Sequence, residues 1–469
     1  MTEFSFPDIF IILSFFAIVI GVGFFSGRKS SKNNDDYLLS GRKVGLALFV
    51  FTNVATWYGG ILGVGEFTYR YGILSWATQG LPYYFFAILF AIFFAEKIRG
   101  ASLFTIPEKL ETVYGRNVGL VSAALIFILV SPAPYLLMIG SLLSFAFGVN
   151  VVWGLLAGII ASTIYLFKGG YRANIFTDAF QFFVMFAGFG VIVFFSLNTF
   201  GGFDFLSGNL PESFLTFSGG ASPTFIIVWF LIALWTFTDP GFHQRCYSAK
   251  DGKTAKRGII ISVLLWALFD FLTTATGLFS RAALPEIENP VLSFPLFADA
   301  VLPSGLKGLF FAALFATILS TLNSFMFLSA TTIGRDFILK FGDENQTIKY
   351  TQIGLAVTAF LSFILALFFD SVIDMWYVIG SFCIPGLILP VVGAYFEKFR
   401  VSGKTALLEM FAAVSVSAAW FAARNALPAQ SPLAEIEPMI FGLFTAIVIH
   451  FADLFGKFYF NSSKTNDNS

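Results

Sequence analysis

The sequence is poor in cysteine, histidine and charged residues. Only two of its 469 residues are cysteines, and only two are histidines. Two thiols exclude a disulfide framework, and two imidazoles argue against a histidine-ligated metal site. Charged residues make up 12% of the chain and the net charge is zero, so we expect no nucleic-acid partner. Hydrophobic residues reach 57% and the mean hydropathy is +0.81, which predicts a polytopic membrane protein.

Apolar runs long enough to cross a bilayer follow one another along the whole chain. We predict thirteen spans, at about 6–26, 44–66, 77–96, 117–147, 150–167, 174–200, 224–244, 258–280, 305–334, 350–369, 372–396, 405–423 and 437–456. The first run lacks a basic segment before it, so we expect a retained span. The longest run should kink near Pro132 and Pro134. The segments between runs are short, which predicts a single integral domain over 1–469, embedded in lipid.

Lys and Arg residues indicate the orientation, because they favour cytoplasmic loops. With the N-terminus outside and the C-terminus in the cytoplasm, 24 of the 28 Lys and Arg residues fall in cytoplasmic segments. The other four are Arg70, Arg281, Lys307 and Arg424. This pattern predicts a multi-pass protein of the plasma (inner) membrane. It also places no Lys or Arg deep within a span, so an anionic solute would have to rely on helix N-termini or polar side chains.

The stretch 51–65 (FTNVATWYGGILGVG) lies inside a span, yet it is a poor helix. It contains four glycines, which weaken a helix, and polar side chains that lipid does not tolerate. In hydrocarbon, freed backbone carbonyls are tolerated only where they line a protein-enclosed cavity. A breakable, polar helix therefore predicts an ion and solute site. The alternative is that its small residues serve close helix packing.

A second polar segment is 311–324 (FAALFATILSTLNS). Its Thr317, Ser320, Thr321 and Ser324 recur every three or four residues, which places them on one helix face. Neutral hydroxyls, with carbonyls from a broken helix opposite, suit a small monovalent cation better than a divalent one. The alternative is a helix contact lined by Ser and Thr.

Three acids, Asp178, Asp239 and Asp270, fall within or at the edges of apolar runs. Carboxylates inside a membrane are costly and usually face a wet cavity or a bound cation. The alternative for each is a position at the membrane end that water reaches. Asp270 is nearest the middle of its run, and helical spacing places it on one face with Thr274. Thr273 and Thr274 are its candidate partners.

Several short motifs occur in an order that resembles the sodium/solute symporters, which include carriers of sugars, proline, pantothenate, choline and sialic acid. They are 36–42 (DYLLSGR), 105–108 (TIPE), 114–116 (YGR), 169–173 (GGYRA), 177–178 (TD), 244–245 (QR), 249–250 (AK), 320–321 (ST) and 323–324 (NS). Each motif is weak alone, but together, in order and on the predicted side of the membrane, they are specific. The resemblance covers about residues 7–400.

This resemblance implies an all-α, leucine-transporter-like fold with two inverted five-helix repeats. The repeats would span about 44–200 and 224–396, after a first extra helix at 6–26 and before two C-terminal helices at 405–456. No symmetry between the halves is visible in the sequence itself. The resemblance also implies a sodium-coupled symporter, not an enzyme, that imports a small organic solute by alternating access without an organic cofactor.

The family's sodium site is built from carbonyls of the broken helix and from a later core helix. The matching positions are the carbonyls of Phe51, Val54 and Thr317 and the hydroxyls of Ser320 and Thr321. Asp178 matches an acid near the sodium path. In some family members that acid joins a second sodium site.

The solute pocket implied by the resemblance lies beside the same break. The matching positions are Asn53, Thr56, Trp57, Tyr58, Gln79, Trp235, Thr236 and Asp239. The sugar carriers have a Glu-Gln pair where this chain has Trp57-Tyr58, and an Arg of the sialic acid carriers has no counterpart in 132–141. Asp239 adds a negative group. An amino-acid-like, zwitterionic or cationic solute is therefore expected in preference to a sugar.

Three other functions compete with sodium symport. A channel would need a short repeated filter segment, which is missing here. A membrane enzyme would need a catalytic constellation, and none is found. A proton-coupled carrier remains an alternative because of the three intramembrane acids, and a test of sodium dependence would separate it.

Overall fold

The computed structural model describes residues 3–28, 33–369, 372–426, 433 and 436–466. Lys29 and Lys32, which were counted for the orientation, lie outside the described residues. The described residues form helices and one isolated β-bridge, between Val44 and Ala249. The α-helices are Phe6–Gly27, Asn34–Leu39, Leu46–Ala55, Ile61–Tyr71, Leu74–Gln79, Leu81–Phe93, Ala95–Ala101, Ile106–Tyr114, Arg116–Leu129, Ala133–Phe147, Val151–Thr163, Leu166–Phe200, Phe203–Asn209, Pro223–Ile232, Pro240–Ser248, Gly252–Ala283, Ser293–Val301, Leu306–Thr331, Thr347–Phe368, Val372–Tyr395, Gly403–Asn425 and Pro438–Asn466. Shorter helical turns are Ser40–Arg42, Glu212–Leu215, Ala233–Phe237, Pro290–Leu292, Thr332–Phe337, Ile338–Phe341, Glu344–Gln346 and Glu397–Phe399.

Eleven helices in the described part of the chain are long and apolar enough to cross a membrane. The protein is therefore a multi-pass membrane protein. The two other predicted spans, 44–66 and 150–167, contain shorter apolar helices: Leu46–Ala55 has 10 residues and Val151–Thr163 has 13. The total of thirteen spans stays a prediction.

Several of these helices begin with a polar N-cap residue, at the point where a loop ends and an apolar run starts. Ser5 and Asp8 form a reciprocal capping box at the start of Phe6–Gly27. Asp251 accepts a hydrogen bond from the N–H of Thr254 (2.7 Å) at the start of Gly252–Ala283. Such caps satisfy the first N–H groups of a helix, which have no partner within it.

Prolines interrupt two of the predicted spans. The predicted kink in 117–147 is confirmed, because one helix ends at Leu129 and the next starts at Ala133. The span predicted at 224–244 is also interrupted, although no break was expected there. A 3₁₀ turn, Ala233–Phe237, separates Pro223–Ile232 from Pro240–Ser248. Pro240 lacks an N–H and is favoured in a first turn, so it starts a new helix.

Leu306–Thr331, the central helix, is almost entirely buried. It packs along Leu166–Phe200, the long helix, where small residues allow close approach. A Cβ on Gly188 of the long helix would overlap the Cβ of Ala313. Both predicted repeats begin with an interrupted helix, at 46–71 and at 223–248, while the repeat boundaries stay a prediction.

Candidate functional site

The first broken helix consists of two half-helices, Leu46–Ala55 and Ile61–Tyr71, joined by an irregular segment at 56–60. The break predicted from the glycine-rich stretch is therefore present. It lies directly against the central helix. A Cβ on Gly59 would overlap the side chain of Thr321, so glycine is needed for this approach. Close contact with the central helix accounts for the break, in addition to weak helix propensity.

Two hydroxyls of the central helix satisfy carbonyls at the break. The hydroxyl of Ser320 donates to the carbonyl of Ala55 (2.7 Å), and that of Thr321 donates to the carbonyl of Thr56 (2.9 Å). All four groups lie in the protein interior or at the wall of a cavity. The last carbonyls of a helix have no partner within it, so these bonds between helices replace the missing ones.

The other positions expected to hold sodium lie close to this contact. The Thr317 carbonyl lies 3.4 Å from both the Ser320 and the Thr321 hydroxyl oxygens. The Val54 carbonyl accepts from the N–H of Trp57 (3.2 Å), while Phe51 lies one turn earlier in the half-helix. Sequence reasoning did not include the carbonyls of Ala55 and Thr56 at this contact, although Thr56 was predicted for the solute pocket. Their signal was their position, since Ala55 ends the first half-helix and Thr56 begins the irregular segment.

Asp178 of the long helix lies beside the first broken helix and is fully buried. Thr52 donates to one carboxylate oxygen (2.5 Å), and Asn174 lies 3.5 Å from the same oxygen. The other oxygen has no hydrogen-bond partner among the residues that the structure describes. Asn174 also donates to Ser324 of the central helix (2.7 Å). This burial argues against the alternative of a membrane-end carboxylate reached by water for Asp178.

Arg245 corrects an expectation about charge near the break. The sequence pattern assigned it to a cytoplasmic segment, and no Lys or Arg was expected deep within a span. The structure buries its guanidinium, which donates to the Thr56 hydroxyl and lies 3.5 Å from the carbonyl of Thr52. The cause is the interruption before Pro240, because the helix that follows packs wholly inside the protein.

A cavity of about 240 Å³ lies beside the break. Six of the eight predicted solute residues line it: Thr56, Trp57, Tyr58, Gln79, Trp235 and Asp239. Asn53 and Thr236 are not among the lining residues, although both are buried. The hydroxyl of Thr236 donates instead to the carbonyl of Ala233 (2.9 Å). The structure thus places six of the predicted residues in the cavity wall, whereas Asn53 and Thr236 lie outside it.

Aromatic side chains that sequence reasoning missed form much of the cavity wall. They are Phe67, Trp76, Tyr83, Tyr135, Trp229, Phe325 and Trp376. Trp376 lies over the break, where a Cβ on Gly60 would overlap its indole ring. These residues come from separate helices of a chain that is 19% aromatic, so no local pattern marked them.

Asp270 also lines the cavity, together with Thr273 and Thr274. Its carboxylate accepts from the hydroxyl of Tyr84 on a neighbouring helix, and Trp76 lies within hydrogen-bond distance (3.3 Å) of that hydroxyl. Thr273 donates to the backbone carbonyl of Asp270 (3.2 Å) rather than to its side chain. The partner of the Asp270 carboxylate is thus a tyrosine of another helix.

Known proteins resemble this chain over most of its length. The family model described as the sodium:solute symporter family matches residues 37–412. The sodium/pantothenate symporter of Escherichia coli (strain K12) is 28% identical over 84% of this chain and 86% of its own length. The high-affinity choline transporter 1 of Caenorhabditis elegans is 24% identical over 78% of this chain and 69% of its own length.

A solved structure shows the same fold. A Na⁺-coupled sialic acid symporter in a substrate-bound, outward-open state aligns with a TM-score of 0.79. It shares 18% sequence identity, and the alignment covers 97% of this chain and 98% of that one. The predicted all-α, leucine-transporter-like fold is confirmed. The chain belongs to the sodium:solute symporter family and is a sodium-coupled symporter, a carrier and not an enzyme.

Proposed function

We propose that this protein imports a small organic solute across the plasma membrane, with sodium bound where the first broken helix meets the central helix. The observation that carries the proposal is the pair of hydroxyls, on Ser320 and Thr321, that reach carbonyls at the break. In this proposal the N-terminus lies outside and the C-terminus lies in the cytoplasm. The relatives' printed names support a small solute, since they include pantothenate and choline.

The oxygens at this contact fit a monovalent cation. Hydroxyls and backbone carbonyls are hard, neutral ligands, which suit a small cation without a strong preference for a double charge. A hydroxyl that donates to a carbonyl still carries lone pairs, and its proton can rotate away from the ion. The proposed ligands are the carbonyls of Phe51, Val54 and Thr317 and the hydroxyls of Ser320 and Thr321, with the carbonyls of Ala55 and Thr56 added. Asp178 is a further candidate oxygen ligand nearby.

Thr56 links the proposed sodium site to the solute cavity and so provides a physical route for coupling the two. Its carbonyl accepts from Thr321 at the proposed sodium site, and the same residue lines the solute cavity. A bound sodium that joins the two helices would hold this segment in one conformation and thereby favour one state of the carrier. Linkage then requires the solute to tighten sodium binding by the same factor.

The proposed solute site is the cavity beside the break. Its predicted residues are Asn53, Thr56, Trp57, Tyr58, Gln79, Trp235, Thr236 and Asp239, and six of them line the cavity. For Asn53 and Thr236, any role would be to support lining residues rather than to contact the solute. Support for this site comes from its position, because it shares Thr56 with the proposed sodium site.

Gradient-driven uptake tests the proposal. Proteoliposomes with an inward sodium gradient should accumulate solute, whereas a potassium gradient of equal size should not. A protonophore should leave the initial sodium-driven uptake intact when the membrane potential is clamped. Accumulation driven by an inward proton gradient without sodium would contradict the proposal and favour a proton-coupled carrier.

A further inference from the structure

We propose that the transported solute carries a positively charged nitrogen and that Asp270 is the carboxylate that pairs with it. This inference rests on the proposed function, because it assumes that the cavity beside the break is the solute site. The solute class would be an ammonium or alkylammonium compound, with or without an additional carboxylate.

The charge of the cavity wall is the first argument. Among the described residues that line it, two are carboxylates, Asp239 and Asp270, and none is Lys, Arg or His. A buried carboxylate without compensation is costly. A neutral solute would leave that cost in place, and an anionic solute would add to it. A positively charged nitrogen is the solute group that removes it.

Asp239 is compensated by its surroundings. Its side chain caps Pro240–Ser248 by accepting from the N–H of Phe242 (2.9 Å), at the positive end of that helix. A Cβ placed on Gly241 would lie 2.8 Å from an Asp239 oxygen and 2.8 Å from a guanidinium nitrogen of Arg245. Both groups therefore lie beside Gly241, and the Arg245 cation is close to the Asp239 carboxylate. A solute is not required to balance its charge.

Asp270 has no such compensation. It lies in the interior of Gly252–Ala283, away from a helix N-terminus, and forms no ion pair with any residue that the structure describes. Its polar neighbours are neutral phenols: Tyr84 donates to one oxygen, and the Tyr58 hydroxyl also lies close to the carboxylate. The Gly80 backbone packs closely against this group, since a Cβ there would lie 2.8 Å from an Asp270 oxygen. The carboxyl group therefore borders the cavity without a cationic partner among the described residues.

The aromatic wall is the second, independent argument. Trp57, Trp76, Tyr83, Tyr135, Trp229, Trp235 and Trp376 line the same cavity. The faces of such rings attract cations, and clusters of them bind quaternary ammonium groups. A cluster of rings with one unpaired carboxylate is suited to an alkylated nitrogen, which has a charge but few hydrogen-bond donors.

Thermal unfolding of the purified full-length protein in saturating sodium tests the inference. The probes are choline, proline, trimethylglycine, pantothenate, glucose and 3,3-dimethyl-1-butanol, which is the neutral carbon isostere of choline. We expect stabilisation by at least one probe with a positively charged nitrogen, and none by glucose, pantothenate or the isostere. Stabilisation by glucose, pantothenate or the isostere, or by none of the probes, would overturn the inference.

Variants then test the role of Asp270. Asp270→Asn should weaken binding of the stabilising probe by about tenfold or more, because a charge partner is lost. Asp270→Glu, which keeps the charge, should lose less. Asp299→Asn is the matched control, since Asp299 pairs with Lys307 (2.7 Å) and does not line the cavity. Equal probe affinity in wild type and Asp270→Asn would overturn the assignment.

Sodium alone separates this inference from the proposed function. Stabilisation of Asp270→Asn by sodium without solute would show that the variant folds and keeps its sodium site. If sodium fails to stabilise the wild type, the proposed function fails. If sodium stabilises it but glucose, pantothenate or the isostere binds, only the present inference fails. Should Asp270→Asn not fold, the wild-type comparison of the probes that carry a positively charged nitrogen with glucose, pantothenate and the isostere still decides the question of charge.

Discussion

Removal of a single hydroxyl from the central helix should weaken sodium binding strongly. In Ser320→Ala the carbonyl of Ala55 loses a buried partner at 2.7 Å, and in Thr321→Ala the carbonyl of Thr56 loses one at 2.9 Å. The same oxygens are proposed sodium ligands. Leaving a buried polar group without its partner costs about 1–3 kcal/mol. If that loss falls on the sodium-bound state, sodium affinity drops roughly five- to hundredfold.

The assay is a sodium titration of thermal unfolding, with potassium chloride keeping the ionic strength constant. It needs no identified solute, and the midpoint sodium concentration reports the affinity. Both variants should need a much higher sodium concentration than the wild type for the same stabilisation. Their unfolding temperatures without sodium should also fall, because one hydrogen bond between helices is lost.

Thr331→Ala is the matched control for this experiment. Thr331 is a buried residue of the same helix, but its hydroxyl donates to Phe327 within that helix (2.8 Å). We expect its sodium midpoint to equal that of the wild type. If Ser320→Ala and Thr321→Ala both keep the wild-type midpoint, the hydroxyls do not bind sodium and the proposed site is wrong.

Three further predictions test the orientation, the cavity and the break. In a variant without the two native cysteines, a membrane-impermeant thiol reagent should reach a cysteine at the exposed Lys253 only from the cytoplasm and one at the exposed Asn209 only from outside; labelling of both from one side would contradict the orientation. Trp57→Ala should lower solute affinity more than sodium affinity, because Trp57 lines the cavity, and solute titrations that match the wild type would remove this residue from the pocket. Gly59→Ala should raise the sodium midpoint, since its Cβ overlaps the Thr321 side chain; an unchanged midpoint would mean that this approach is not needed for the ion.

Features that depend on composition and local periodicity were predictable from the sequence. Long apolar runs have to be helices in a bilayer, because each helix satisfies its own backbone groups there. The glycines at 59 and 60 and the polar residues around them identified the break for the same reason. Periodic spacing placed Ser320 and Thr321 on one face, since hydroxyls three or four residues apart share a side of a helix. Ordered motifs then identified the family.

Only the tertiary structure decided which groups meet across helices. The carbonyls that Ser320 and Thr321 reach depend on how closely the broken helix approaches the central one, and that distance is a packing result. Arg245 is assigned to a loop by charge counting, yet it lies in the helix Pro240–Ser248, which is buried in the protein interior. The tyrosine partner of Asp270 lies 186 residues away in sequence, and the aromatic wall gathers rings from separate helices. Local patterns determine helices and their faces, whereas a site shared by several helices is determined by contacts between residues far apart in sequence.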